Sequence, residues 1–518
     1  MDLVKEIIHA NVQFGIVAFV VQVAFLVIFG TKLQYGPNTT SRTNLEILET
    51  QQIVVNTDVP IYQYLKDVQV MMVVGFGFLM TFLRKHGYSS IGCNLFLCAL
   101  VIQWALIMNG TTEVVNGIIY IDNLRIINSL FTLTTVLISF GAVLGKVSLL
   151  QMLIMAVCEI PIVSWNEYLG TKILHVIDTG HSIFIHGFGA YFSLGVSLAL
   201  YNRKCHDHPN LGATYISDLF ACIGTLFLWI YWPSFNAGTE TGREQSRALV
   251  NTILALCGAT IGSTIISAFI PELEDGHEKH QRKGRHRFHS GRYNMVYFQN
   301  STLAGGVAIG SAAAMELDPC LAILIGFIAG VFSVLGYRFF TKYVNKVMHD
   351  TCGVHNRHGF PSFIAAIASA CAAAFATRDR YGDELYYMFP AMSPQAGLPY
   401  RLSDLQYTTA LDLGRTPLVQ GGFQMAGWCH TFIISFVGGL VTGFFMRFLG
   451  GHTAPNDDLL YDDGGYWTLS ERETSLSRDE LAALLPQIPL PEIWRKQLEV
   501  GVVVGHRNCD FFAPHPGS

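Results

Sequence analysis

Two histidines occur in matching phrases, Asp178-x7-His186-Gly187-Phe188 and Asp350-x7-His358-Gly359-Phe360, 172 positions apart. A neutral imidazole offers one hydrogen-bond donor and one acceptor, so a facing pair can replace part of the water shell of a small polar solute. Both phrases open long apolar runs, and ionisable side chains at membrane depth usually line a polar path or site. A phrase used twice also points to a duplicated half. The plainer reading of the histidines is a pair of satisfied interhelical hydrogen bonds, and the shared context lowers its weight. For the aspartates the plainer reading is strong, because Asp-Thr-Gly and Asp-Thr-Cys are good helix starts whose carboxylates accept orphan backbone N–H groups. It is preferred for Asp350. Eight residues along an α-helix rise about 12 Å and turn roughly 80°, which places each histidine deeper than its aspartate.

The elements that must carry these residues follow from composition. Over 518 residues the chain is 51% hydrophobic and only 14% charged, too few charges to cover a soluble particle of that length. Windows of about 20 residues, the length that crosses a bilayer as a helix, predict twelve spans. They lie near residues 7–30, 67–83, 91–109, 124–143, 148–165, 180–201, 217–235, 247–270, 298–314, 320–340, 358–377 and 424–448. The ninth is diluted by Asn300, Glu316 and several glycines, which makes eleven an alternative count. The first is longer than a signal-peptide core, has no clear small-residue cleavage site, and is read as retained. The predicted fold class is all-α: a polytopic membrane protein with a transmembrane domain over 1–450 and a cytoplasmic tail over 451–518.

Short basic loops favour the cytoplasm. Alternate counting puts Arg84 and Lys85, Lys146, Arg203 and Lys204, the stretch Lys279 to Arg292, and Arg338, Lys342 and Lys346 on one side. Both termini are then cytoplasmic, and loops 31–66, 110–123 and 378–423 face outward. The sequon Asn38-Thr39-Thr40 falls in an outer loop and is the candidate glycosylation site; Asn109-Gly110-Thr111 lies close to the membrane, and Asn300-Ser301-Thr302 falls at a cytoplasmic span end. Five crossings separate the span starts after Asp178 and Asp350, so the two halves are predicted to be inverted five-helix repeats around a midplane site.

Longer phrases carry a resemblance. DVQVMMVVGFGFLMTFL (67–83), FGAVLGK (140–146), GTLFLWIYWPSFNAG (224–238), QNSTLAGGVAIG (299–310) and DTCGVHNRHGFP (350–361) resemble the Rh glycoproteins, the animal-type branch of the ammonium transporter superfamily. The likeness runs through nearly all of residues 1–450. It implies a plasma-membrane homotrimer of twelve-span subunits, each with its own pore for ammonia. It implies further that His186 and His358 are the twin pore histidines, that Phe131 and Phe235 are the stacked phenylalanines closing the outer vestibule, and that Asp178 is the buried acid near that vestibule needed for conduction. Among 35 phenylalanines, those two roles rest on the resemblance alone. One departure stands out. Where the family commonly has two glycines after the acid, this chain reads Asp178-Thr179-Gly180-His181, and the extra imidazole has three open consequences: repelling cations when protonated, crowding the helix contact, or facing lipid.

The remaining features are read as follows. The 11 cysteines show no metal-ligand or redox spacing and are taken as packing residues. The loop 273–294 holds His277, His280, His286 and His289 among Lys and Arg. Without a rigid spacing for a metal, its core, 275–292, is read as a solvated cytoplasmic segment near anionic lipid. Ser477-Arg478-Asp479-Glu480 before an apolar run is a capping-box start in the tail, whose cytoplasmic partner is open. A net charge of −5 gives no reason to expect nucleic-acid binding. No cofactor or metal is expected. An intramembrane enzyme is the first rival reading, and it has neither an H-E-x-x-H motif nor a placed nucleophile behind it. A non-conducting membrane scaffold and a carbon dioxide channel are the others.

Overall fold

In the computed structural model of the chain, residues 2–36, 59–206, 208–270, 293–393 and 413–469 are described. Asn38, the basic loop 275–292 and the predicted tail helix lie outside them. Among the described residues, ten helices are long and apolar enough to cross a bilayer: His9–Lys32, Ile61–Phe82, Gly87–Glu113, Asn123–Val143, Leu149–Ile173, Ser182–Ala199, Tyr215–Ala237, Gly242–Phe269, Pro319–Val344 and Pro417–Thr453. Two of the twelve predicted spans are not among these ten. The ninth is broken into Met295–Ser301 and Ala304–Gly310, and the eleventh, the π-turn His355–Gly359 running into Phe360–Ala374, is made less apolar by Arg357 and His358 at its start.

The ninth segment is packed closely on its neighbours. Residues 301–315 are all buried, where glycines allow backbones to approach. A Cβ on Gly305 would stand 2.3 Å from the carbonyl oxygen of Ala255, and one on Gly306 would stand 2.6 Å from Nε1 of Trp232. Glycine weakens a helix by about 1 kcal/mol per residue, and irregular backbone at membrane depth is tolerated where protein surrounds it. Around this centre, Asn123–Val143 and Ser182–Ala199 are buried almost throughout. The first helix instead exposes Val12, Ile16, Phe19, Val20 and Leu26, and the last exposes Phe444, Phe445 and Phe448. Such outward apolar faces are what lipid solvates, so this is an integral, multi-pass membrane protein.

The repeated phrase sits in repeated architecture. Leu149–Tyr168 ends in the π-turn Leu169–Ile173, ahead of Asp178, and Pro319–Leu335 ends in the π-turn Gly336–Phe340, ahead of Asp350. The next helix in each half begins with another π-turn, Ser182–Gly187 or His355–Gly359, and each holds its histidine. At the first start the His181 ring lies 4.6 Å from that of Phe131; at the second, the Thr351 N–H donates to the carbonyl of Ala142 at 3.2 Å. Phe131 and Ala142 belong to one helix and are about 16 Å apart along it. The two starts therefore stand at opposite ends of Asn123–Val143, and their chains run toward each other.

Two smaller ties complete the body. Leu33–Tyr35 pairs in parallel with Ile119–Ile121, anchoring the end of the first helix. The compact unit extends past Gly450 to Trp467. In this extension Tyr461 N–H donates to the Gly145 carbonyl at 2.9 Å, and the Asp463 carboxylate accepts from the N–H groups of Tyr88 and Ser89 at 2.8 Å each, capping Gly87–Gly110. Gly145 holds a left-handed φ of +73°, and a Cβ there would meet the Tyr461 ring at 2.4 Å.

Candidate functional site

Five buried rings form a column through the centre of the body. Phe131 and Phe235 meet edge to face, with centroids 4.7 Å apart and planes at 69°. Phe235 lies 5.5 Å from His186, His186 lies 5.1 Å from His358 with planes at 7°, and His358 lies 6.4 Å from Phe76. The stacked phenylalanine pair expected from the resemblance is thus an edge-to-face pair, an arrangement that ring quadrupoles favour. Trp232 flanks His186 at 5.4 Å and fills the space that the missing side chain of Gly306 leaves open.

The two histidines face one another through their π-turns, which hold an extra residue per turn and re-aim the side chains within them. Neither ring nitrogen of His186 has a hydrogen-bond partner, and Nδ1 of His358 has none. Nε2 of His358 accepts from Nε–H of Arg357 at 2.8 Å. Satisfied interhelical bonds therefore do not describe this pair. Most buried polar atoms in proteins are bonded, and this one pair holds three unpartnered ring nitrogens. They can bond a small solute that both donates and accepts.

Both aspartates close helix starts. Oδ2 of Asp178 accepts from the N–H groups of Ile183 and Phe184 at 2.9 Å each, and Oδ1 accepts from the Ser311 hydroxyl at 2.5 Å. Asp350 accepts from Val354 N–H at 3.0 Å and His355 N–H at 3.1 Å. The geometry that the sequence favoured for Asp350 thus holds at Asp178 as well.

His181 stands just before Ser182–Ala199 in a left-handed conformation, φ 54°. It does not face lipid: its ring packs on Phe131, and Nδ1 lies 3.4 Å from the Glu167 carboxylate. Burial pulls its pKa down, but Glu167, Asp178 and Glu240 together outweigh that and hold it above the usual imidazole value. The Phe131 end of the column is therefore acidic around one imidazole.

Asn109 and Asn300 are tied into the bundle. The Asn109 amide donates to Thr132 at 2.9 Å and accepts from Ser164 at 2.7 Å, while Oδ1 of Asn300 accepts from Arg357 at 3.0 Å. Among the described residues, no group of three or more His, Cys, Asp or Glu side chains is arranged to hold a metal ion. Sequence reasoning missed Arg357, Glu167, Glu240, Ser311, Trp232 and Phe76. Arg357 had a readable signal, a charge inside a membrane-depth phrase. Phe76 and Ser311 carry none that distinguishes them from other residues of their type.

The model described as the Ammonium Transporter Family matches residues 18–276 and 284–458. The chain is 37% identical to ammonium transporter Rh type C of Bos taurus over 484 residues, 92% of this chain and 97% of that protein. It is 45% identical to ammonium transporter Rh type A of Mus musculus over 373 residues, 70% of this chain and 81% of that one. Among solved structures it matches Nitrosomonas europaea Rh50, of the Rhesus protein family of channels, with a TM-score of 0.62 and 27% identity over 86% of this chain and 98% of that one. With its helical body, its paired helix starts and relatives matched along nearly their whole length, the chain belongs to the Rh-type branch of the ammonium transporter family.

Proposed function

We propose that the protein is a channel-type ammonia transporter in which ammonium gathers at the acidic outer mouth and the neutral form crosses the ring column. The observation that carries this reading is the parallel His186–His358 pair, 5.1 Å apart, with three free ring nitrogens among the rings of Phe235, Trp232 and Phe76. A charge at the bilayer centre costs about 2.5–3.5 kcal/mol even on the lenient insertion scale, which favours the neutral solute in a dry passage. Ammonia both donates and accepts, matching neutral imidazoles. Hydrated potassium finds no replacement there for its water. Phe131 and Phe235 close the column's outer end, and Asp178 keeps negative charge beside the mouth while it caps the helix. Nothing in the reaction requires covalent chemistry. The chain works as a plasma-membrane homotrimer with one pore per subunit, both termini cytoplasmic and Asn38 glycosylated outside.

The test is purified protein in liposomes, following internal pH after an ammonium gradient. His186→Ala and His358→Ala each remove one wall of the solute site, so flux per subunit should fall or change selectivity by several-fold while the oligomer stays intact. Unchanged rate and selectivity in both variants would remove the pore from this position. Sidedness has its own check. Glycosidase should increase the gel mobility of protein from animal cells, and Asn38→Gln should abolish most of that shift; a shift that survives the substitution places the glycan elsewhere.

A further inference from the structure

Arg357 is buried to 2% exposure directly beside the paired histidines. Its Nε–H donates to Nε2 of His358 at 2.8 Å, and Nη1 donates to Oδ1 of Asn300 at 3.0 Å. The guanidinium carbon lies 6.0 Å from the centroid of Phe76, the ring that also stacks on His358. Both acceptors are neutral, so these bonds orient the charge without cancelling it.

Two consequences follow from guanidinium chemistry. Arginine stays protonated in proteins and cannot accept a hydrogen bond. Nε2 of His358 must therefore present its lone pair, which leaves the ring proton on Nδ1. That tautomer offers an Nδ1–H donor, and taking up a second proton at Nε2 would break the bond to Arg357. The histidine pair is thereby barred from relaying a proton through His358. The second consequence is electrostatic. A monovalent cation about 7 Å from a fixed positive charge is disfavoured roughly 50-fold at an effective dielectric constant of about 20.

We infer that Arg357 is the selectivity residue of this pore, a fixed cation that excludes ammonium and alkali ions and locks His358 as a neutral donor, so that transport carries no net charge. The inference rests on the conduction reading above and adds the residue that enforces passage of the neutral form.

The experiment uses the full chain in liposomes under an imposed membrane voltage, recording internal pH and current for wild type, Arg357→Gln and Arg357→Lys. Gln keeps hydrogen-bonding capacity without charge, and Lys keeps charge with a different shape. Oligomer size on a sizing column controls for assembly. The expected result is wild-type flux that ignores voltage, roughly a 50-fold rise in voltage-driven cation current in Arg357→Gln, and no such rise in Arg357→Lys. Voltage-insensitive flux in Arg357→Gln matching wild type overturns the inference and leaves ammonia conduction standing. A silent wild type with a conducting Arg357→Gln upholds the cation barrier and overturns conduction by the native protein. Silence in wild type and in all assembled variants overturns both.

Discussion

The two helix starts share one backbone plan and differ in everything that surrounds it. At Asp178 and at Asp350 a carboxylate accepts two N–H groups of the first turn, a π-turn follows, and a histidine is aimed at its counterpart. Around the first start stand Glu167, Glu240 and an imidazole that these acids favour in its charged form. At the second a buried guanidinium takes a lone pair of His358. Duplication supplies a pair of facing histidines, and divergence surrounds the first start with acids and sets a guanidinium beside the histidine of the second. On the proposed reading, ammonium would be drawn to the first and turned back as a cation at the second.

The most severe break in this comparison is to remove one carboxylate. Asp178→Ala strands two buried N–H groups, each unsatisfied group costing about 1–3 kcal/mol, and should lower yield and thermal stability. Asp178→Asn separates the cap from the charge. Asparagine is an equally good cap, so this variant should assemble and reach the membrane, while flux per subunit falls several-fold because the negative charge at the acidic end is gone. Asp350→Asn, with no such mouth beside it, should leave flux near wild type. Flux is measured over a range of ammonium concentrations; a near-normal Asp178→Asn would make the two aspartates equivalent caps and confine the asymmetry to the other side chains.

Much of this was readable in the chain because it is periodic or repeated. Apolar runs located all ten continuous spans, and the duplicated phrase singled out His186 and His358. Asp-Thr-Gly and Asp-Thr-Cys announced helix starts at both places. The two segments that departed from the expected spans are the ninth, which breaks between Ser301 and Ala304, and the eleventh, whose start carries Arg357 and His358. Side-chain direction was less legible, since an α-helical turn of roughly 80° between Asp and His does not describe a segment that carries extra residues per turn. Phe131 and Phe235 lie on separate helices, and only the folded chain brings them to 4.7 Å. Arg357 was visible as a letter, yet its bond to the neighbouring ring depends on rotamers that no spacing rule describes.

The mildest perturbation of the comparison is at His181. Its pKa is raised above the ordinary imidazole value because Glu167, Asp178 and Glu240 outweigh the opposing effect of burial. A raised pKa means that the pairing of the charged ring with these acids is fully present below the ordinary value and is lost as pH rises through the folded one. Proton loss on the alkaline side therefore removes a positive charge from the mouth next to Phe131, while the acids remain. Flux at a fixed ammonium concentration should consequently climb more steeply with pH in wild type than in His181→Gln, which has no charge to lose at that position. At acidic pH the Gln variant should exceed wild type by at most a few-fold, because a partly solvated charge is screened, and the two should converge at alkaline pH. Parallel pH profiles would mean that the imidazole serves packing against Phe131 and takes no part in admitting the cation. The acidic end of the path would then act through its carboxylates alone.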